Sequence, residues 1–240
     1  MGKNAVSLVA LTALLAVSVC ADSAHAWMTT GKFTGKSGTS YRVIYKNNMK
    51  AEWVTKRPEQ YDADRDVLLS IPAAFTDKKG RIGGVYAIDG EFFNLDNPDR
   101  SIGGVVYCIK GSCSIKPVPR GDLSQDLIDK IKSLKGDLFQ QFIVVFNGKA
   151  ESFKDKSKFQ RRGIATMEDG RTAIVESDRD ITLNQFGAEC AAAGIKELAY
   201  TDMGWWDEGW YRLRPHEKPH TLGKSRMATN KQTNWLTFTR

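Results

Sequence analysis

The sequence predicts an α+β fold: a twisted mixed, mostly antiparallel sheet with a few packed helices. Two observations carry the prediction. Short alternating runs are joined by tight-turn pairs, Asn47-Asn48, Asp89-Gly90 and Asp169-Gly170, which favour antiparallel hairpins. Apolar residues at helical spacing occur over only two stretches, after Asp122 and after Thr182.

The first 26 residues stand apart. Lys3 precedes an apolar run from Ala5 to Ala21, and Ala24-His25-Ala26 places small residues where a signal peptidase reads them. A secretory signal peptide over residues 1–26 is therefore expected, with one domain over 27–240 and an exported, periplasmic or extracellular, mature protein. Val19 before Cys20 is too large for a lipoprotein site. Nothing after Trp27 approaches the roughly 20 apolar residues of a membrane span.

From Tyr41 to Val54 two strand-like runs flank Asn47-Asn48 and read as an N-terminal hairpin. "RPEQYDADRD" reads as a surface loop, and the continuous apolar "VLLSIPAAF" as a buried strand. "GGVYAIDGEFFN" turns at Asp89-Gly90, and "GGVVYCIKGSCSIK" repeats the hairpin logic. Cys108 and Cys113 flank the second turn, so a disulfide across it is expected in an oxidising compartment.

The period then changes. Leu123, Leu127, Ile128, Ile131 and Leu134 form a helical stripe, with Asp122 as N-cap and Gly136 as stop. "LFQQFIVVFNG" returns to strand, and "FQRRGIATMEDGRTAIVES" reads as a hairpin about Asp169-Gly170. Thr182 caps a second helix that ends near Gly194 and carries Cys190 on its apolar face as a buried thiol. "IKELAYTDMG" is then a strand that delivers Asp202 and Gly204 at its end, and "TNWLTFT" a closing strand.

Composition excludes more than it identifies. The 240 residues carry a formal net charge of +7, which removal of Lys3 and Asp22 with the leader leaves unchanged. That excess favours anionic partners in general. Lysine and arginine are spread along the chain and no nucleic-acid module is recognisable, so nucleic acid is not the expected partner. There is no nucleophile elbow, P-loop or dinucleotide fingerprint. After the leader only three cysteines remain, and prolines interrupt His216 and His220, so no metal site and no cofactor are expected.

The candidate chemistry lies in two places. Arg161 and Arg162 enter a strand from a basic stretch, and planar guanidinium groups clamp phosphate or carboxylate oxygens. Alternation equally allows one to be solvated and the other to make a structural ion pair. Asp202, Asp207 and Glu208 gather carboxylates near one turn, as glycosidic hydrolysis asks, although a carboxylate before glycine also serves as a turn cap. Trp205, Trp206, Trp210 and Tyr211 fit either an aromatic platform for sugars or plain core.

The order "RRGIATMEDGRTAIVE", "ITLNQFGAECAAAGIKELAYTDMG", "TNWLTF" resembles the phosphodiester glycosidase domain family across about the C-terminal half. A weaker likeness lies in "SIPAAFTDKKGRIGGVYAIDGEFFN", through Ala74, Phe75, Gly84 and Gly90. The resemblance implies that Arg161, or Arg162 one residue on, holds a phosphate. It implies that Asp202 acts as acid or base, and that Gly204, Trp205, Trp206, Asp207 and Glu208 line the substrate site. The family's Gly-Gly-Gly-Ser turn is here Met203-Gly204-Trp205-Trp206, which fills with side chain the space where a backbone would approach a ligand. The implied function is an exported phosphodiester glycosidase whose partner is a phosphorylated sugar or glycan polymer. A non-catalytic glycan-binding domain of the same fold is the alternative, and a secreted interaction protein with an aromatic core a third reading.

Overall fold

The computed structural model describes residues 27–58, 66–204, 207–224 and 231–240. The expected leader, Trp205 and Trp206 lie outside them. Among the described residues the strands form three sheets with two α-helices, and the pairings within the sheets are antiparallel.

The seven-stranded sheet runs β1 (Met28–Thr34), β2 (Ser40–Lys46), β13 (Thr172–Ser177), β12 (Arg162–Met167), β14 (Ile195–Tyr200), β10 (Ile143–Phe146) and β11 (Lys149–Ala150). A five-stranded sheet runs β16 (His220–Thr221), β15 (Trp210–Tyr211), β4 (Val67–Pro72), β17 (Trp235–Thr239) and β3 (Lys50–Val54). A second runs β6 (Glu91–Phe93), β5 (Tyr86–Ile88), β9 (Asp137–Gln140), β7 (Gly104–Ile109) and β8 (Ser112–Pro117).

The three sheets meet in a central core of Ile44, Ile164 and Ile174 from the first, Ile71, Leu236 and Phe238 from the second, and Val106 and Phe139 from the third. The opposite face of the seven-stranded sheet packs Val43, Val175 and Leu198 against α2 (Leu183–Ala192), chiefly through Phe186 and Cys190. Helix α1 (Gln125–Ser133) covers the third sheet through Leu127 and Ile131.

Local signals decide the turns. Asp89 and Gly90 both take positive φ, as a type I′ hairpin requires, and join β5 to β6. Asp169-Gly170 lies in the β12–β13 loop, and the Thr182 hydroxyl accepts the Gln185 N–H at the start of α2. Cys108 and Cys113 stand directly opposite in β7 and β8 and form a disulfide. Cys190 is a buried free thiol.

Three expectations are corrected. The 41–54 segment is no hairpin: β2 pairs with β1 and β13, whereas β3 pairs with β17. The chain changes sheets at Asn47-Asn48 because Met49 drops into the central core. The N-cap of α1 is Ser124, since Asp122 closes a preceding 3-10 turn through its N–H to Pro119 O. "LFQQFIVVF" is two strands in different sheets, β9 and β10. Two buried amides make that crossing possible by satisfying loop backbone. Gln140 bonds Val85 N, Asp99 N, Asp99 O and Ile102 O, and Gln141 bonds Ala73 O and Phe142 N.

Candidate functional site

Strands β12, β13, β2 and β14 bring their Arg162, Ser177, Tyr41 and Tyr200 termini to one end of the seven-stranded sheet. Alternation then sorts the side chains by face. Tyr200 belongs to the α2 face, and Asp202, two residues on, follows it past the strand end. Asp202 is buried, its N–H donates to Ala73 O at 2.9 Å, and its Oδ2 accepts Thr76 N at 3.3 Å.

Arg161 turns to the same α2 face. Its Nε donates to Ile181 O at 3.1 Å, Nη2 to Ser157 O at 2.9 Å and Nη1 to the Tyr200 hydroxyl at 3.3 Å. No carboxylate lies against it among the described residues, and its cation is shared between the Phe159 and Tyr200 rings. Three of its five N–H groups are thus used. Burial pushes the Tyr200 phenol pKa up against the opposing pull of Arg161, so the hydroxyl stays protonated and able to donate. Tyr200 is not among the candidate residues read from the sequence, where only its i, i+2 relation to Asp202 marks it.

The aromatic wall beside this group is made of phenylalanines. Phe75 lies 6.0 Å from Tyr200 and 5.7 Å from Phe142, which lies 5.8 Å from Phe153. A cleft of about 370 Å³ opens along Phe142 and Phe153, with Ser101, Ser152 and Glu151 on its rim. Ala74, next to Phe75, is held at both N and O by the buried amide of Asn234, which also bonds Thr76 Oγ1. The backbone that donates to Asp202 is thereby fixed from the far end of the chain.

Arg162 has a different environment. It faces the central core fully buried, donating to Glu176 through Nε and Nη2 and to both Asp207 oxygens at 2.9 Å. Burial opposes its charge, but the Asp207 and Glu176 carboxylates outweigh that and hold its pKa above the ordinary value. Asp207 also accepts Gly209 N at 2.9 Å. A Cβ at Gly209 would stand 2.8 Å from Arg162 Nη1, and one at Gly223, whose φ is +77°, 1.7 Å from Asp207 Oδ2. The two loops close on this cluster because both residues lack a side chain.

Glu208 accepts from Arg57 Nη1 and Trp235 Nε1, each at 2.7 Å. Trp210 and Tyr211 are buried in β15, where Tyr211 stacks on His220, so they wall the core and offer no open platform. Gly204 accepts Asp207 N at 3.2 Å and has open space where a Cβ would be. Asp202 and Arg161 thus meet around Tyr200, whereas Arg162 and Asp207 form a separate cluster on the other face.

The fold defines a class of protein: three antiparallel sheets around one core, with a strand-end site on the larger sheet. No family's sequence model matches the chain, and no curated protein matches it. Among solved structures, it is similar to the catalytic domain of zebrafish N-acetylglucosamine-1-phosphodiester alpha-N-acetylglucosaminidase, auto-inhibited by its pro-peptide. The TM-score is 0.59 at 11% identity over 89% of this chain and 82% of that one. It is also similar to a hypothetical protein from Synechocystis, with TM-score 0.57 at 10% identity, over 89% of this chain and 62% of that one. At these identities the likeness establishes the shared fold.

Proposed function

We propose that the protein is an exported hydrolase of phosphate-linked sugars, a phosphodiester glycosidase acting on envelope or extracellular glycans. The observation that carries the reading is the convergence of Asp202, Tyr200 and Arg161 at one strand end, on a fold shared with a phosphodiester glycosidase catalytic domain. Export is supported by the leader-like residues 1–26 and by the Cys108–Cys113 disulfide.

In this reading Arg161 and the Tyr200 hydroxyl donate to the phosphate. Asp202 transfers the proton at the glycosidic oxygen, oriented by Thr76 N. Phe75, Phe142 and Phe153 present ring faces and edges to the sugar. Arg162, Asp207 and Glu208 act as the frame that holds the turn after Asp202, with Arg162 and Asp207 joined in one ion cluster. Their engagement in these pairs favours a second reading, a glycan-binding domain without turnover, because Asp207 and Glu208, the other carboxylates of that turn, are already held by Arg162 and Arg57.

The test is to incubate the purified protein with a panel of sugar-1-phosphate diesters and follow released sugar by mass spectrometry. Asp202→Asn is expected to lower turnover by about 10²- to 10⁴-fold with an unchanged melting temperature. Full activity in Asp202→Asn would remove Asp202 from the mechanism. Tight binding of sugar phosphates without release would establish the binding domain instead.

A further inference from the structure

The seven-stranded sheet carries a row of charged residues across its end on the face opposite Tyr200. Lys32 stands directly opposite Arg42, Arg42 opposite Glu176, and Glu176 opposite Arg162. One rung inward the row is apolar, with Ile44, Ile174, Ile164 and Ala199 in register. Like charges directly across a strand pair repel, and a neighbouring carboxylate is the usual remedy. Here the nearest carboxylate, Glu176, is already bound to Arg162.

Neither Lys32 nor Arg42 has an ion-pair partner among the described residues, and Arg42 has only the face of the Tyr211 ring, 5.8 Å away. Lys224, also without an ion pair, approaches from the loop after β16, and the three cations line a cleft of about 400 Å³. Gln160 lines the same cleft. Its Nε2 donates to Ser177 O at 2.8 Å, while its buried Oε1 has no partner. Glu176 and Asp178 line the cleft too, but Glu176 is paired with Arg162 and Asp178 with Arg179. The three cations are therefore in surplus, and Gln160 Oε1 is an unmet acceptor buried in the wall. Inorganic phosphate carries its P–OH donors on the anion itself, whereas a phosphorylated sugar sets hydroxyl donors apart from its anion and can serve charge and acceptor at separate positions.

We propose that this cleft is a second binding site, taking a further phosphorylated sugar unit of the glycan whose phosphodiester lies at Asp202. The inference rests on the glycan reading above. Gln160 and Arg161 are consecutive, so one residue lines the cleft while the next holds Tyr200. From β2 to β14 there are three strand spacings, about 14 Å, and because the cleft and Asp202 lie on opposite faces, the glycan would pass around the strand ends where Gln160 is followed by Arg161. The substrate class becomes a polymer with phosphate on successive units.

The experiment is an NMR titration of the full chain with glucose 6-phosphate and, separately, with inorganic phosphate. Amides of residues 40–42, 176–178 and 221–224 are expected to shift saturably with the sugar phosphate, more weakly with inorganic phosphate, and less as salt rises. Arg42→Gln should weaken that binding about tenfold, the loss of one charge-assisted contact. Lys32→Gln, on the exposed edge strand, should do the same if Arg42→Gln perturbs the fold. Shifts confined to residues around Asp202 would overturn the second site and leave the proposed activity standing. Equal affinity for inorganic phosphate would overturn the sugar assignment of the cleft. Saturable cleft shifts with no diester hydrolysed anywhere in the panel would support the second site while removing the hydrolase.

Discussion

Arg161 and Arg162 are consecutive, both buried, and face opposite sides of the same sheet, yet their surroundings differ in kind. Arg162 is enclosed by two carboxylates, and its charge is neutralised within the protein. Arg161 rests on two backbone carbonyls, a phenol and two ring faces, none of which carries negative charge, and the exposed Asp155 carboxylate acts on it without forming an ion pair. A buried cation without an anion is costly, whereas a paired one is tolerated once its hydrogen bonds are complete. In the proposed function, the difference separates a residue that holds the fold from one placed to receive an anion.

Stability measurements should break this comparison first if it is wrong. Removing Arg162 leaves Glu176 and Asp207 buried with like charge, so Arg162→Ala is expected to cost about 3–5 kcal/mol in urea unfolding. Arg161→Ala leaves two carbonyls and a hydroxyl short of a donor, about 1–2 kcal/mol, and its larger consequence should be lost affinity for sugar phosphates. Equal destabilisation by the two would abolish the distinction. Gly209→Ala sharpens it, because the added methyl presses on the Arg162 guanidinium. A cost of about 1–3 kcal/mol is expected, with binding at Arg161 unaffected by calorimetry.

The sequence carried those features that local chemistry determines. The Asp89-Gly90 and Asp169-Gly170 turns, the Thr182 cap and the "TNWLTFT" strand each depend on residues a few positions apart. Which strand lies beside which does not, and so the 41–54 hairpin failed: β3 found its partner in β17, at the opposite end of the chain. The site divides in the same way. Asp202 was legible as a carboxylate at a strand end. The commitment of Arg162 to Glu176 and Asp207 was not, because these partners lie 14 and 45 residues away. Nor was the role of Asn234, which reaches Ala74 across 160 residues.

The smallest expected effect concerns Tyr200 and is read against pH. Burial raises its folded pKa above the ordinary value of 10.0, with Arg161 opposing. The unfolded chain therefore loses the phenolic proton near pH 10, while the native state keeps it to higher pH. Between those two values the native state binds one more proton, so stability falls as pH rises, by about 1.4 kcal/mol per pH unit for one such group. Tyr41, Tyr45 and Tyr211 are raised as well, each with burial as the leading cause, so the alkaline loss is shared. Tyr200→Phe should reduce the slope above pH 10 by one proton and change little at neutral pH beyond the lost bond to Arg161. Urea unfolding at pH 7 and between pH 10 and 11 measures both. A slope unchanged by Tyr200→Phe would mean that the phenol titrates normally in the native state. The hydroxyl would still be protonated at neutral pH, but the burial that sets Tyr200 beside Arg161 would be absent, and the contrast between the two arginines would rest on Arg161 alone.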